Sequence, residues 1–407
     1  MRILFITSFY SSLKKSVLEN SWQPTGMPAI VKLFKGLKTE NIEFDNIFIS
    51  RAQPQDKHIV LKNNMFSNTM HIVSVAKNID VKFLRVIGES INSLTIYKKV
   101  RKIIGNNDYD IIYVDRANII LGAFLAHFGY KVVLRLHGIT HYYDDYSKLV
   151  NRLKEFLKLW SFKAPFKYII CSEDGTPILQ FLEKYSNPQV LSKILLNGID
   201  VINTSNTSSI SKDKLGIPPN VPIILFVGRF SEDKGIVEFV NSLIKLNCSN
   251  NNFVSLIIGD GPQFSDITEI VKKSKSNNIK LLGSVHHNDM NSYYELSDIY
   301  VSVNMLGNLS NTVLEAVNAA KCIITLQKTN NPIKDQSTYN FFKDKALYVN
   351  RYNIKQELPE LLKTLINNSD LIEEQKQKIA KCKTKLMSWN ERIKIEIEIL
   401  RNICECR

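Results

Sequence analysis

Short apolar runs alternate with stretches of helical period along nearly the whole chain. In the first half the runs are Ile3–Thr7, Asp110–Val114, Lys131–Leu136, Lys167–Cys171 and Ile194–Leu196. Between them, Ala29–Lys38, Leu94–Ile104, Asn118–Phe128 and Leu149–Trp160 carry apolar residues three and four apart. Brief apolar strands separated by amphipathic helices predict βαβ units and a parallel sheet covered on both faces. Residues 201–220 interrupt the pattern with Asn, Ser, Thr and Pro, as a domain border does. The alternation then resumes. Strands are predicted at Ile223–Val227, Val254–Ile258, Ile279–Leu282, Ile299–Val303 and Cys322–Leu326. Helices are predicted at Ile236–Leu246, Gln263–Lys273, Asp289–Leu296 and Asn311–Ala319, and residues 354–387 read as two more. In the last segment, Trp389–Cys406, the core RIKIEIEIL alternates with period two. Trp389, Ile393, Ile397, Leu400 and Ile403 nevertheless sit at helical spacing, and a helix is expected. The fold class is therefore α/β, with two Rossmann-like doubly wound domains, 1–203 and 204–387.

Composition narrows the class. The chain has 407 residues, 44% hydrophobic and 23% charged, which suits globular domains with ample core and excludes wholesale disorder. No apolar run reaches the ~18–20 residues that cross a bilayer. The opening MRILFITSFYSS fits a first buried strand better than a leader peptide, so a cytoplasmic protein is expected. The six cysteines show no CxxC pair, and free thiols are expected rather than a disulfide framework or a zinc site. Net charge is +14, and residues 1–200 carry 27 Lys and Arg against 17 Asp and Glu. Such an excess suits phosphorylated ligands, anionic lipid headgroups or nucleic acid, and equally a merely basic soluble surface. No helix-turn-helix or RNA-recognition module accompanies it, so nucleic acid is not an expected partner.

In open α/β sheets ligands bind beyond the carboxyl ends of the strands, so the strand-to-helix junctions carry the candidate chemistry. The second domain opens with one: a strand ends at Gly228, Arg229 follows, and Lys234 stands just before the next helix. Two cations at a strand end would suit a pyrophosphate; pairing with Glu232 and Asp233 in a solvated loop is the alternative. A second junction runs Gly307-Asn308-Leu309-Ser310-Asn311-Thr312 into a helix. Ser310 is a candidate N-cap, and the N–H groups of Asn308 to Thr312 could face an anion. Glu315, in the first turns of that helix, could hold vicinal ribose hydroxyls or simply favour the helix dipole. Gly259-Asp260-Gly261-Pro262 repeats the form, and His137 stands at a strand end in the first domain. Asp108-Tyr109-Asp110 has the spacing of an Asp-x-Asp metal signature, but it leads into a strand and is read as a strand start.

Taken together these junctions resemble the family 4 glycosyltransferases, whose GT-B fold sets two Rossmann-like domains face to face. Further matching pieces are Gln23-Pro-Thr-Gly26-Met-Pro, Leu136-His137-Gly138, Cys171-Ser172-Glu173 and Leu196-Asn197-Gly198-Ile199-Asp200. Leu282-Gly283-Ser284-Val285, Ser297–Ser302 leading to Leu314-Glu315-Ala316-Val317, and Ser388-Trp389-Asn390-Glu391-Arg392 complete the series.

The resemblance implies that residues 388–407 form a helix packed back on the first domain. It implies a metal-independent, retaining transfer from a UDP- or GDP-type nucleotide sugar to a glycan or lipid-linked acceptor, with no cofactor and no metal. The setting would be synthesis of a bacterial-type surface polysaccharide, at the inner face of an anionic membrane. Arg229 and Lys234 would neutralise the diphosphate, Glu315 would hold the ribose, and Gly26 and Gly228 would let backbone approach the phosphates. His137 would contact the transferred sugar and Val285 the base. The family pattern sets a second Glu eight positions before Glu315, where this chain has Gly307. That departure motivates one alternative, a catalytically inactive partner subunit; another, on the same fold, is a nucleotide-sugar 2-epimerase.

Overall fold

The computed structural model describes residues 1–10, 16, 28–50, 59–63, 67–75, 84–105, 107–139, 156–200, 210–327 and 336–405. The chain divides into two compact units. The first comprises residues 1–173, 178–196 and 389–407, and the second residues 174–177 and 197–388. Apart from residues 174–177, the second unit thus begins at Asn197; the predicted border at 203/204 lies outside the described residues.

The first unit is built on an eight-stranded sheet. Its strands are β1 (Arg2–Ser8), β2 (Glu43–Ser50), β3 (Ile59–Asn63), β4 (Ser67–Ser74), β5 (Ile111–Asp115), β6 (Val132–Leu136), β7 (Tyr168–Glu173) and β8 (Ser192–Leu196). Their order is β3-β4-β2-β1-β5-β6-β7-β8, and every pairing is parallel except β3 with β4. The described helices are α1 (Pro28–Thr39), α2 (Leu84–Ile104), α3 (Ile119–His127), α4 (Phe156–Phe162) and α5 (Ile178–Tyr185). Strand alternation sends Leu4, Ile6, Ile112, Val114 and Leu134 to the face covered by α2, α3, α4 and α5. Ile3, Phe5, Ile111, Tyr113 and Val133 go to the other face, where α1 packs with a helix from the far end of the chain.

The second unit holds β9 (Ile223–Val227), β10 (Val254–Ile258), β11 (Ile279–Gly283), β12 (Ile299–Ser302), β13 (Cys322–Leu326) and β14 (Leu347–Val349). They form an all-parallel sheet in the order β11-β10-β9-β12-β13-β14. That is the doubly wound Rossmann order 3-2-1-4-5-6, with its switch point between β9 and β12. The helices are α6 (Ile236–Ser249), α7 (Phe264–Ser274), α8 (Met290–Leu296), α9 (Asn311–Asn318), α10 (Gln336–Phe342), α11 (Ile354–Ile366) and α12 (Ser369–Ala380). The core joins Ile224, Phe226, Ile257, Val301 and Ile324 of the sheet to Phe239 and Leu243 of α6 and to Leu358 and Leu362 of α11. Among the described residues, no helix is long and apolar enough to cross a membrane.

The closing segment is helix α13 (Trp389–Glu405), which belongs to the first unit. Its buried stripe is Trp389, Arg392, Ile393, Glu396, Ile397 and Leu400, at helical spacing. Gly36 lets α1 and α13 approach, since a Cβ there would overlap the Ile393 side chain. The stripe contains one positive and one negative side chain. Arg392 and Glu396 are fully buried and bonded to each other, and Glu396 also accepts a hydrogen bond from the Tyr113 hydroxyl. Arg135 of β6 places its Nε 3.9 Å from Glu396 Oε1 and donates from Nη2 to Ser172 Oγ at 2.9 Å.

Candidate active site

Because every strand of the second sheet runs the same way, the segments after β9, β10, β11 and β12 all emerge at one edge. The segment after β9, Gly228–Lys234, carries the two predicted cations. Arg229 is exposed and makes no ion pair or side-chain hydrogen bond among the described residues. Lys234 is differently placed: its Nζ lies 3.8 Å from Asp233, whose other carboxylate oxygen accepts from Ser231 Oγ at 2.6 Å. The solvated-loop pairing foreseen for this loop thus holds for Lys234 and Asp233 and does not include Arg229. Gly228, directly before it, donates its N–H to Ile258 O at 3.0 Å, and Phe230 donates to Asp260 O at 2.9 Å. The loops after β9 and β10 are stitched together in this way. Gly259 (φ +145°) makes the approach possible, because a Cβ there would overlap the Gly228 carbonyl.

Across the switch point, the segment after β12 is a turn built by two buried asparagines. Asn308 Oδ1 accepts from Ser302 Oγ at 2.7 Å and from Asn304 N at 3.1 Å, and its Nδ2 donates to Asn304 O at 2.9 Å. Asn304 Nδ2 donates to Gly307 O at 2.6 Å. The turn is tied to its neighbour across the switch point, because Met305 N donates to Asp233 O at 2.8 Å. Of the five N–H groups expected to face an anion, two are engaged. Asn308 donates to Thr338 Oγ1 at 3.2 Å and Leu309 to Asp174 O at 3.0 Å, and both residues are buried. Ser310, Asn311 and Thr312 open α9, and their N–H groups have no partner among the described residues. Ser310 is the N-cap residue, but its hydroxyl lies 3.0 Å from Thr312 Oγ1 and caps no N–H. Asn311 Oδ1 accepts from Asn197 Nδ2 at 2.7 Å.

Gly307 has a physical reason. A Cβ at this position would lie 2.7 Å from Asp174 O and 2.8 Å from Gly175 C and Thr176 N. The main chain of residues 174–176 occupies the space a carboxylate side chain would need, so the family's first Glu has no room here.

Glu315 faces a hydroxyl cluster that the sequence did not announce. Its Oε2 accepts from the Tyr294 hydroxyl of α8 at 2.9 Å, and Tyr300 of β12 donates to Thr312 Oγ1 at 2.9 Å. Burial raises the carboxyl pKa above its ordinary value; the Tyr294 hydrogen bond and nearby His287 offset part of that rise. His287 itself is bonded to Asp200 at 3.1 Å. Val285, in the segment after β11, is partly exposed.

In the first unit His137 directly follows β6. Its Nε2 is buried and unpaired among the described residues. Burial, then the cations Arg135, Arg116 and Arg392, hold the imidazole well below its ordinary pKa, so it is neutral at pH 7. At that sheet's switch point, between β1 and β5, lies a group that sequence reasoning missed. Buried Asp115 accepts from Ser8 N at 2.9 Å, Tyr10 OH at 3.0 Å and Asn118 Nδ2 at 2.8 Å. A lone Asp ending an apolar run gave no signal beyond its position. Asp110 accepts from the Arg2 N–H at 2.7 Å, immediately before β5. Gly26 lies outside the described residues. Among those residues, no three His, Cys, Asp or Glu side chains converge as a metal site would require.

Residues 208–381 match the family model described as glycosyl transferases group 1. An alpha-monoglucosyldiacylglycerol synthase of Acholeplasma laidlawii is 28% identical over 172 residues, which are 41% of this chain and 43% of that protein. The UDP-N-acetylglucosamine–peptide N-acetylglucosaminyltransferase GtfA subunit of Streptococcus agalactiae is 25% identical over 341 residues, 79% of this chain and 64% of that one. The chain thus spans less than two thirds of either relative. Among solved structures, sucrose-phosphate synthase from Thermosynechococcus elongatus superposes with a TM-score of 0.71 at 13% identity, over 99% of this chain and 98% of the other. At that identity the likeness is one of fold.

Proposed function

Through residues 208–381 the chain belongs to the group 1 glycosyl transferases, and from that premise we propose that it moves a sugar from a nucleoside-diphosphate sugar, UDP or GDP in type, to a glycan or lipid-linked acceptor. The observation that carries the proposal is the exposed Arg229 at the switch point, across from the N–H groups that open α9, all without a partner among the described residues. A guanidinium and a helix N-terminus on either side of one sheet crevice are an anion site. The UDP-sugar in the name of the Streptococcus relative and the diacylglycerol in that of the Acholeplasma relative support a nucleotide donor and a lipid-linked acceptor.

The chemistry follows from where charge develops. As the glycosyl–phosphate bond breaks, negative charge grows on the leaving diphosphate. Preorganised Arg229, Lys234 and the N–H groups of Ser310 to Thr312 stabilise it. In the first unit, neutral His137 at the end of β6 offers a hydrogen-bonding group for a sugar hydroxyl without adding charge. Attack from the face of the departing diphosphate, whose oxygen takes the acceptor proton, retains the anomeric configuration with no covalent nucleophile. The setting we propose is synthesis of a surface polysaccharide at the cytoplasmic side of a membrane.

Thermal-shift screening against UDP-, GDP-, ADP- and CMP-sugars tests this reading. The cognate donor at 100 times its Kd raises stability by about 2.7 kcal/mol, and one nucleotide stands out. No shift with any donor overturns the site. A shift without hydrolysis or transfer of any sugar favours the inactive-partner alternative that Gly307 motivates.

Glu315→Gln separates binding from folding. Glutamine still accepts from Tyr294, while removing a buried charge that the fold disfavours. The raised carboxyl pKa means that ionisation costs stability as pH rises through it. Calorimetry at pH 7 should therefore show a Tm equal to or above wild type, with the difference vanishing towards the ordinary carboxyl value of about 4.3. Donor affinity should fall about 10- to 100-fold, the loss expected for hydrogen bonds to a charged group. A Tm well below wild type at pH 7 would mark Glu315 as structural.

A further inference from the structure

One face of the first unit combines exposed apolar side chains with uncompensated positive charge. Leu94 on α2 is 49% exposed, Phe128 just after α3 is 62% exposed, and Phe156 at the start of α4 is 60% exposed. Ring contacts run between the helices that carry them. Leu94 stands one turn before Tyr97, which stacks on Phe128 at 5.1 Å. Phe124, one turn before Phe128, lies 5.5 Å from Trp160, itself one turn after Phe156. Lys98, Arg101 and Lys102 follow Leu94 along the exposed side of α2 and make no ion pair among the described residues. The segments 92–107, 116–139 and 156–172, which supply all of these side chains, contain no Asp or Glu.

We propose that this α2–α3–α4 face is a docking surface for an anionic lipid membrane, with Leu94, Phe128 and Phe156 entering the headgroup boundary and Lys98, Arg101 and Lys102 meeting the anionic headgroups. A soluble surface has no use for two phenyl rings at this exposure beside a strip free of acidic residues, whereas an interface of water and hydrocarbon rewards both features. Nucleic acid would use the cations, but Leu94 and the two Phe side chains offer no hydrogen-bonding group to a base edge. The proposal deepens the membrane setting proposed above by naming the surface that would meet it; it rests on that setting and not on the transfer itself, since docking is measured without donor or acceptor.

The test is flotation of the full chain with vesicles of phosphatidylcholine alone and of phosphatidylcholine with phosphatidylglycerol, at low and high salt. Recovery is expected on the anionic vesicles only and is lost at 1 M salt, where screening is nearly complete. The triple variant K98E/R101E/K102E should partition at least about 100-fold more weakly, and F128S/F156S should also float poorly, both with wild-type Tm. Equal recovery on neutral vesicles, or full recovery of both variants, overturns the proposal. So does tighter binding of a single-stranded RNA homopolymer than of the vesicles. A dimer that F128S dissolves while vesicle binding persists would assign the face to a second copy of the chain and likewise overturn it. A failed donor screen with intact flotation would sink the transferase reading and leave the docking surface standing.

Discussion

Under the proposed transfer, Arg229→Ala should lower kcat/KM for the nucleotide-sugar donor by about 100- to 1000-fold, the cost of removing one preorganised group from a developing oxyanion. The same variant leaves Tm within about 2 °C of wild type, because an exposed, unpaired side chain contributes little to folding. The combination is diagnostic. A guanidinium kept for stability would be buried or paired; Arg229 is exposed and has no partner among the described residues, and it follows Gly228 at the end of the first strand of a Rossmann order. Arg229→Lys should recover only part of the loss, since an ammonium cannot offer a planar pair of donors to phosphate oxygens. Lys234→Ala is expected to cost less, because its charge is already shared with Asp233 at 3.8 Å. Steady-state kinetics with the donor found by thermal shift decides the matter. A variant at Arg229 that keeps kcat/KM within threefold would remove the anion site from the crevice.

Much of this architecture could be read from the chain because its central strands are continuous apolar runs, the pattern that burial on both faces demands. The β3-β4-β2 side of the first sheet was not legible. Strand β2 carries Asp45 and Asn46 in its middle, and both are buried. Asp45 can be there because Arg2 and the Tyr109 hydroxyl each reach its Oδ2 at 2.8 Å, partners that no local pattern names. Strand β14, three residues long, and helix α10, seven, were too short to show a period. The second unit's junctions were visible as glycine and asparagine turns at strand ends. What each turn does was not, because the answer lies far away in sequence. Residues 174–176, more than a hundred positions earlier, fill the space beside Gly307, and Tyr294 on another helix meets Glu315. The last segment was expected as the helix it forms, but the full stripe that α13 buries was not legible, for the same kind of reason. Its buried stripe includes Arg392 and Glu396, which a hydrophobic count scores as surface.

That buried charge makes Glu396→Gln the substitution with the largest expected effect on folding. Burial opposes the Glu396 carboxylate, but Arg135 and Arg392 outweigh it, aided by the Tyr113 hydroxyl, and hold its pKa below the ordinary value. With glutamine in its place two buried guanidinium groups face each other without a counter-charge. Breaking such a group by removing one partner costs about 3–5 kcal/mol, a fall of about 6–20 °C in Tm for a unit of this size. The pH dependence has a definite sign. A carboxyl whose pKa is depressed by folding contributes stability above its unfolded value, about 4.3, and loses it as pH falls through the folded value. The gap between wild type and E396Q should therefore be constant through neutral pH and close only in acid. Replacing all three charges by apolar residues, R135M/R392M/E396L, should recover most of the loss, as it leaves no unpaired charge. Denaturant unfolding of the three proteins at pH 7 and pH 4 measures each term. If E396Q unfolds within about 1 kcal/mol of wild type, α13 is held by its apolar stripe alone and the charges are incidental.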